Sequence, residues 1–259
     1  MADLFRYVVT DKLAIELGRI LEGKIKDGNY INSIVKKLTN KNLKVVKFLD
    51  RGSFGAAYLL SDGAVLKATF DSSEAKACAT VVGKKNKYIV DIYAVGKVNK
   101  KADFMGLKSI WFIHREFISR DFTLVQKKIA RLLTKFQNSY DLNGERTLLG
   151  KKGIEEMTKF WCTKGRTPSE KNVCRETVVV LARIIKEMKD KGIRGYKDFH
   201  IGNLGVKNGN LCVFDLGFEA KSRGGKIKKI QANGKIIKKI ISELKDKGEF
   251  TLAKNLEIV

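Results

Sequence analysis

Proline occurs once, at Pro168, in a chain of 259 residues. Pro-rich linkers are thereby excluded. Histidine occurs twice, and the four cysteines (Cys78, Cys162, Cys174 and Cys212) stand far apart with no CxxC pair. A zinc site or a disulfide framework is not expected, and reduced thiols of an intracellular, cytoplasmic protein are. No run approaches the roughly 18–20 consecutive apolar residues of a membrane span, so no membrane partner is expected. The opening MADLFRYVVTDKLAIELGRI carries acids early and lacks a small-residue cleavage site after an apolar run, so it does not read as a signal peptide. Acids are scarce, with 28 Asp+Glu against 52 Lys+Arg and a formal charge of +24. That excludes an acidic tail protein and points to anionic partners such as nucleotides, nucleic acid or acidic proteins. A lysine-rich composition that solvates every face is the plainer explanation.

What is present is an ordinary globular mix, 44% hydrophobic and 31% charged, sufficient for one large domain or two small lobes. Residues 1–40 read as helical. Thr10 or Asp11 can cap a run with Leu13, Leu17, Ile20 and Leu21 on one face, and Gly28 breaks it. Ile31, Ile34, Val35 and Leu38 suggest a second short helix. From Asn42 the pattern alternates, predicting strands near 44–50, 55–60 and 64–70, with Asp62-Gly63 as a two-residue hairpin loop. Asp71 or Ser72 caps a short helix. Strands follow near 88–97 and 109–118.

The second half reads as helical. Residues 123–139 are amphipathic through Leu124, Ile129, Leu132, Leu133 and Phe136. Thr167-Pro168-Ser169-Glu170 forms a capping box with proline at the first helical position. It opens a helix whose face carries Val173, Thr177, Val180, Leu181, Ile184 and Met188, and which Gly192 ends. Two short strands joined by Asn208-Gly209 come next.

Three constellations carry chemistry. Gly52-Ser53-Phe54-Gly55 is a Gly-x-x-Gly turn between strands, where backbone N–H groups can approach phosphate oxygens. Most turns of this kind are only hairpins. Lys67 sits inside an apolar strand and must send its ammonium to something polar, a phosphate paired with a carboxylate or an exposed strand face. Glu74 is the candidate carboxylate, and it is also an ordinary helix-dipole Glu. Finally, Asp198 and Asn203 share a loop and Asp215 ends a strand across a tight hairpin. Asn and Asp oxygens suit Mg²⁺, and Asp198 is left to accept a proton from a hydroxyl. Each alone is also a common turn former.

The order of these elements resembles the protein-kinase fold. Gly52–Gly55 resembles the Gly-rich loop, with Asp50 in place of the first glycine. Lys67 resembles the phosphate-pairing Lys and Glu74 its helix partner. Trp111 to Ile118 resembles the strand entering the interlobe hinge, with Glu116 and Ile118 offering backbone groups to adenine. Tyr196-Lys197-Asp198 stands for His-Arg-Asp, Asn203 for the catalytic-loop Asn, and Asp215-Leu216-Gly217 for Asp-Phe-Gly. The resemblance covers about residues 44 to 218 and implies an α+β, two-lobed protein-kinase-like fold. Its segments would be a helical extension (1–40), a mainly antiparallel-sheet N-lobe (41–118) and a short helical C-lobe with a basic tail (119–259).

What it implies chemically is transfer of the ATP γ-phosphoryl group, with Mg²⁺, to a Ser or Thr hydroxyl of a protein. Asp198-x-His200-x-x-Asn203 is instead similar to aminoglycoside- and choline-kinase-like phosphotransferases. This makes a small-molecule acceptor the alternative, with His200 contacting phosphate or merely shaping its turn. Small kinases of tailed phages share the Gly-loop phrase ending in Ala-Ala-Tyr, which implies a viral origin. The chain has no Ala-Pro-Glu and only 42 residues after Gly217, too few for a full peptide-binding C-lobe. The tail from Lys221 to Lys254 holds 11 Lys+Arg against three acids. It reads as a solvated helix packing its Ile face, or as a nucleic-acid-binding surface that would suit a non-catalytic pseudokinase. His114, on an alternating strand, reads as structural.

Overall fold

A computed structural model describes residues 2–5, 17–24, 29–104, 107–142, 167–193, 199–217, 242 and 245–246. The protein is α+β, with a mainly antiparallel sheet and several helices. It divides into two compact units, residues 1–85 with 90–117 and residues 86–89 with 118–259.

The first unit contains β1 (Ala2–Phe5), α1 (Asn29–Thr39), β2 (Val45–Gly52), β3 (Gly55–Leu60), β4 (Val65–Thr69), α2 (Ser72–Thr80), β5 (Ile92–Phe104) and β6 (Leu107–Arg115). The sheet order is β1-β5-β6-β4-β3-β2. All neighbours are antiparallel except β1, which lies parallel on β5. The β-branched and aromatic residues of this region suit a pleated, buried surface.

The two faces of β4 do different things because strand side chains alternate. Leu66 and Ala68 point into a core with Tyr58, Phe112, Ile110 and Val98, and that core includes Leu17, Ile20, Ile31, Ile34 and Val35 from the N-terminal helical segments. Burying each large aliphatic side chain here contributes about 1.5–3 kcal/mol. The Tyr58 hydroxyl finds its partner in the Ile20 carbonyl, and burial pushes its pKa up to about 12. Lys67 points to the other face, the side of Glu74 at the start of α2. α2 itself packs on β5 and β6.

Several expectations are corrected. Ala2–Phe5 is a strand, whereas residues 1–40 read as helical throughout. Four residues cannot show a period, and the pairing partner lies more than ninety positions away at Gly96. The first helical segment ends at Gly23, whose φ of +73° suits glycine, five residues before the expected breaker; Gly28 lies outside the described residues. The Asp62-Gly63 loop is wider than two residues. Gly63 N–H donates to the Leu60 carbonyl at 3.0 Å and Leu60 N–H to that of Ala64 at 2.8 Å. Gly63 takes the left-handed position (φ +81°) of a three-residue hairpin. β5 begins at Ile92 rather than near 88 and β6 ends at Arg115 rather than 118. Asp71 is the cap of α2, accepting from Ser73 N–H at 2.8 Å.

The second unit contains α3 (Leu124–Leu142), α4 (Pro168–Asp190), a 3-10 turn (Ile201–Asn203), β7 (Leu204–Lys207) and β8 (Asn210–Val213). The capping box forms as expected. Thr167 N–H donates to Glu170 Oε2 at 3.0 Å, and Glu170 N–H donates to Thr167 Oγ1 at 3.2 Å. Val173, Thr177, Leu181, Ile184 and Met188 are buried along α4, and Val180 is partly so. On α3, Ile129 and Leu133 are buried, but Leu124 is 81% exposed because it opens the helix ahead of the buried stripe; the Phe136 side chain lies outside the description. Asn208 and Gly209 both have positive φ (48° and 75°), as a two-residue hairpin loop requires. Residues 143–166, 194–198 and almost all of the basic tail lie outside the described residues. Among the described residues no helix is long and apolar enough to cross a membrane.

Candidate functional site

In the first unit the antiparallel register builds the arrangement around Lys67. Lys67 pairs with Ala57 on one side and Ile113 on the other, so its strand position is central. Its ammonium lies 2.6 Å from Glu74 Oε1, with side-chain exposures of 14% and 3%. Six residues lie between the two in sequence, and the distance closes because only Phe70 and Asp71 separate the end of β4 from the start of α2 at Ser72. Desolvating two charges is costly, and the cost is offset only by close geometry. The pair holds an ammonium at a fixed place on the sheet face.

The Gly-x-x-Gly turn is held down on the adjacent strand end. Gly52 pairs with Gly55 and Gly55 with Thr69. The Phe54 carbonyl accepts the Phe70 N–H at 3.0 Å and the Thr69 hydroxyl at 3.1 Å. Its ring meets Phe70 edge-on, centroids 5.6 Å apart. A Cβ on Gly55 would stand 1.9 Å from the Ala68 carbonyl oxygen, whereas one on Gly52 would meet nothing within 4 Å. Gly55 is therefore required by close backbone approach, and Gly52 leaves open space above the turn, as does Ser53, which is exposed. Thr69 and Phe70 as anchors of this turn were not legible from the motif; their signal is only that they follow Lys67 at the end of β4 and just beyond it.

Glu116 follows β6. Its N–H donates to the Asp91 carbonyl at 2.9 Å, and its Oε2 accepts the Asp91 N–H at 3.3 Å. The N–H is thus engaged within the unit.

The second unit gathers Asn203, Asp215, His200 and Ile118. Leu204 pairs with Val213, and Phe214 N–H donates to the Asn203 carbonyl at 3.1 Å. That bond returns Asp215 to the end of the hairpin where Asn203 stands, which is 9% exposed. Asp215 Oδ1 accepts the Gly217 N–H at 3.2 Å, the local turn that an Asp-x-Gly sequence permits. His200 caps the 3-10 turn, its Nδ1 accepting the Gly202 N–H at 2.7 Å. In the neutral ring this leaves the proton on Nε2. Shaping the turn is therefore an observed role of His200. Ile118 is buried, and a Cβ on Gly205 would stand 2.4 Å from its Cγ2. Asp198 lies outside the described residues.

Two residues that the motifs missed hold this loop. Arg120 Nη2 donates to the Gly202 carbonyl at 2.7 Å, and its guanidinium lies 5.3 Å from the Phe214 ring centroid. Thr134 on α3 accepts the Ile201 N–H at 2.8 Å through Oγ1 and donates to Ala130 at 2.9 Å. Both act across more than sixty positions of sequence, beyond any local pattern. Glu187 of α4 likewise accepts the N–H groups of Lys87 and Tyr88, at 2.8 and 2.5 Å.

Among the described residues no three His, Cys, Asp or Glu side chains cluster as a metal cage. One Asn and one Asp fit Mg²⁺, which commonly takes one or two protein oxygens and completes its shell with phosphates and water. They do not fit a structural Zn²⁺ site. The chain matches no protein-family model and no curated protein.

Proposed function

We propose that the protein is an ATP- and Mg²⁺-dependent phosphotransferase of the two-lobed protein-kinase-like fold, acting on Ser or Thr hydroxyls of a protein. The observation that carries this reading is the buried Lys67–Glu74 pair at 2.6 Å on the strand beside the Gly52–Gly55 turn. A carboxylate at this distance orients the ammonium, a group that pairs with phosphate oxygens. The adjacent turn offers backbone at a position where Gly52 and Ser53 leave room.

In this reading Lys67 binds the ATP phosphates, Glu74 orients it, and residues 52–55 cover them. The carbonyl of Glu116 and the backbone of Ile118 take adenine. Asn203 and Asp215 would hold Mg²⁺, which when bound neutralises phosphate charge. The acceptor oxygen forms a bond to the γ-phosphorus while the bond from the γ-phosphorus to the β–γ bridging oxygen breaks. ADP carries away the electron pair, and the hydroxyl proton passes to the Asp198 carboxylate. The protein's contribution is positioning and charge stabilisation. The charge of +24 favours an acidic protein acceptor.

A second reading, a small-molecule acceptor, is favoured by His200, whose Nδ1 accepts the Gly202 N–H, so that the neutral ring carries its proton on Nε2. Calorimetric titration with ATP, with and without Mg²⁺, tests the shared premise. Saturable binding that requires Mg²⁺ and weakens at least about tenfold in Lys67→Met supports it. Binding of nucleic acid with a steep salt dependence and no ATP binding would favour a basic pseudokinase instead.

A further inference from the structure

His114 is the one described histidine whose Nε2 is fully buried with no hydrogen-bond partner. The residue is 5% exposed. Leaving such an atom unpaired is costly, so its surroundings are of interest. His114 pairs with Leu66 and Ala94 in the sheet, while Lys67 pairs with Ile113. The imidazole is therefore on the face opposite Lys67 and takes no part in the proposed phosphate site. It lines a cavity of about 640 Å³ between the end of α1, the β3–β4 loop, Tyr93 and the end of β6, a size typical of small-ligand sites.

The groups facing this cavity are chiefly acceptors. Asp62 Oδ1 is used by the Ala64 N–H at 3.0 Å, which turns Oδ2 toward His114 Nε2 at 3.9 Å. That gap is too long for a hydrogen bond. It is short enough for one planar group with two N–H donors to reach both atoms. Burial lowers the His114 pKa; Asp62 opposes that effect and Lys41 adds to it. The ring is thus neutral at pH 7, and a ligand that brings an N–H to the buried Nε2 selects the tautomer with its proton on Nδ1, in which Nε2 accepts. Tyr93 stacks edge-on against His114, centroids 5.0 Å apart, and is 46% exposed; Phe117 is 49% exposed. Glu116, whose Oε2 accepts the Asp91 N–H, adds a second carboxylate, while Lys41, exposed, is the one cation among the described lining residues.

We infer that this cavity is a binding site for a small guanidinium compound, held between His114 and Asp62 and flanked by Tyr93 and Phe117. A guanidinium supplies the planar fork of donors that the 3.9 Å gap asks for, and it stacks on aromatic faces. An anion would meet two carboxylates, and an apolar ligand would leave Nε2 unpaired. The inference does not depend on the proposed phosphotransfer.

The test uses the full chain labelled with ¹⁵N in its two histidines, assigned with His200→Gln. Agmatine is titrated while the imidazole nitrogens are followed by NMR. The expected result is a saturable shift of His114 Nε2. Asp62→Asn keeps an acceptor for the Ala64 N–H and so preserves the loop; it should weaken binding at least about fivefold by removing the charge. A smaller loss, or no saturable shift of His114 up to about 20 mM agmatine, overturns the inference.

Discussion

The Lys67 ammonium and the Glu74 carboxylate meet at 2.6 Å across the junction of β4 and α2, both largely withdrawn from water. Removing one partner leaves the other buried and uncompensated. Glu74→Ala should therefore destabilise the protein by about 3–5 kcal/mol, whereas replacing both by Lys67→Met with Glu74→Leu should be near neutral or stabilising. Urea denaturation of the wild type, both singles and the double variant checks this. Equal destabilisation in the single and double variants would show that packing, not charge, holds this junction.

Gly55 and Gly52 look equivalent as letters and are not equivalent in space. Gly55→Ala forces a Cβ to within 1.9 Å of the Ala68 carbonyl oxygen, while Gly52→Ala meets nothing. Gly55→Ala should cost at least about 2 kcal/mol through backbone displacement, and Gly52→Ala should stay within roughly 0.5 kcal/mol. If Gly52 lies over phosphates as proposed, Gly52→Ala should still weaken ATP binding in a fully folded protein. Thermal denaturation beside calorimetry separates the two effects.

Legibility in the sequence followed range. The capping box at Thr167 and Glu170, the Asn208-Gly209 loop and the Asp71 cap are chemistry within three residues, and each forms. The alternation of β3 and β4 identified both strands. The pairing of Glu74 with Lys67 was readable because only one short loop separates strand from helix. The strand Ala2–Phe5 was not, because its partner β5 lies far along the chain. Arg120 and Thr134 escaped for the same reason; each hydrogen-bonds a backbone group more than sixty residues away. His114 read as structural on its strand, and only the sheet register and the turn at Asp62 disclose the cavity it lines.

Thr134 anchors the loop that carries His200 and Asn203 by accepting the Ile201 N–H. Thr134→Val keeps the shape and leaves that N–H unpaired, at a cost of about 1–3 kcal/mol. Under the proposed function phosphotransfer should fall more than ATP affinity does, since the loop and not the Lys67 region is disturbed. Turnover and nucleotide affinity, measured on the same preparation, check the split.

The pKa of His114 is lowered chiefly by burial, so the unfolded chain binds a proton more readily than the folded one. Stability should be fully present above the unfolded histidine pKa of about 6.5 and fall as pH drops below it toward the lower folded value. Asp62, Lys41, Tyr93 and Glu116 face the same cavity. Melting temperature measured between pH 8 and pH 5 should decline in the wild type and decline less in His114→Gln. Parallel profiles would place the sensitivity elsewhere.

The most direct test of the central claim is transfer of label from γ-³²P-ATP, with Mg²⁺, to an acidic and a basic protein substrate and to small-molecule alcohols. It is run beside Lys67→Met, Asp198→Asn and Asp215→Asn. The account predicts label on protein Ser or Thr that is lost in all three variants, by at least about a hundredfold. Label on a small molecule alone would move the acceptor class while keeping the site. Undiminished transfer in the variants, or no transfer to any acceptor by a protein that does not bind Mg-ATP, would contradict the account.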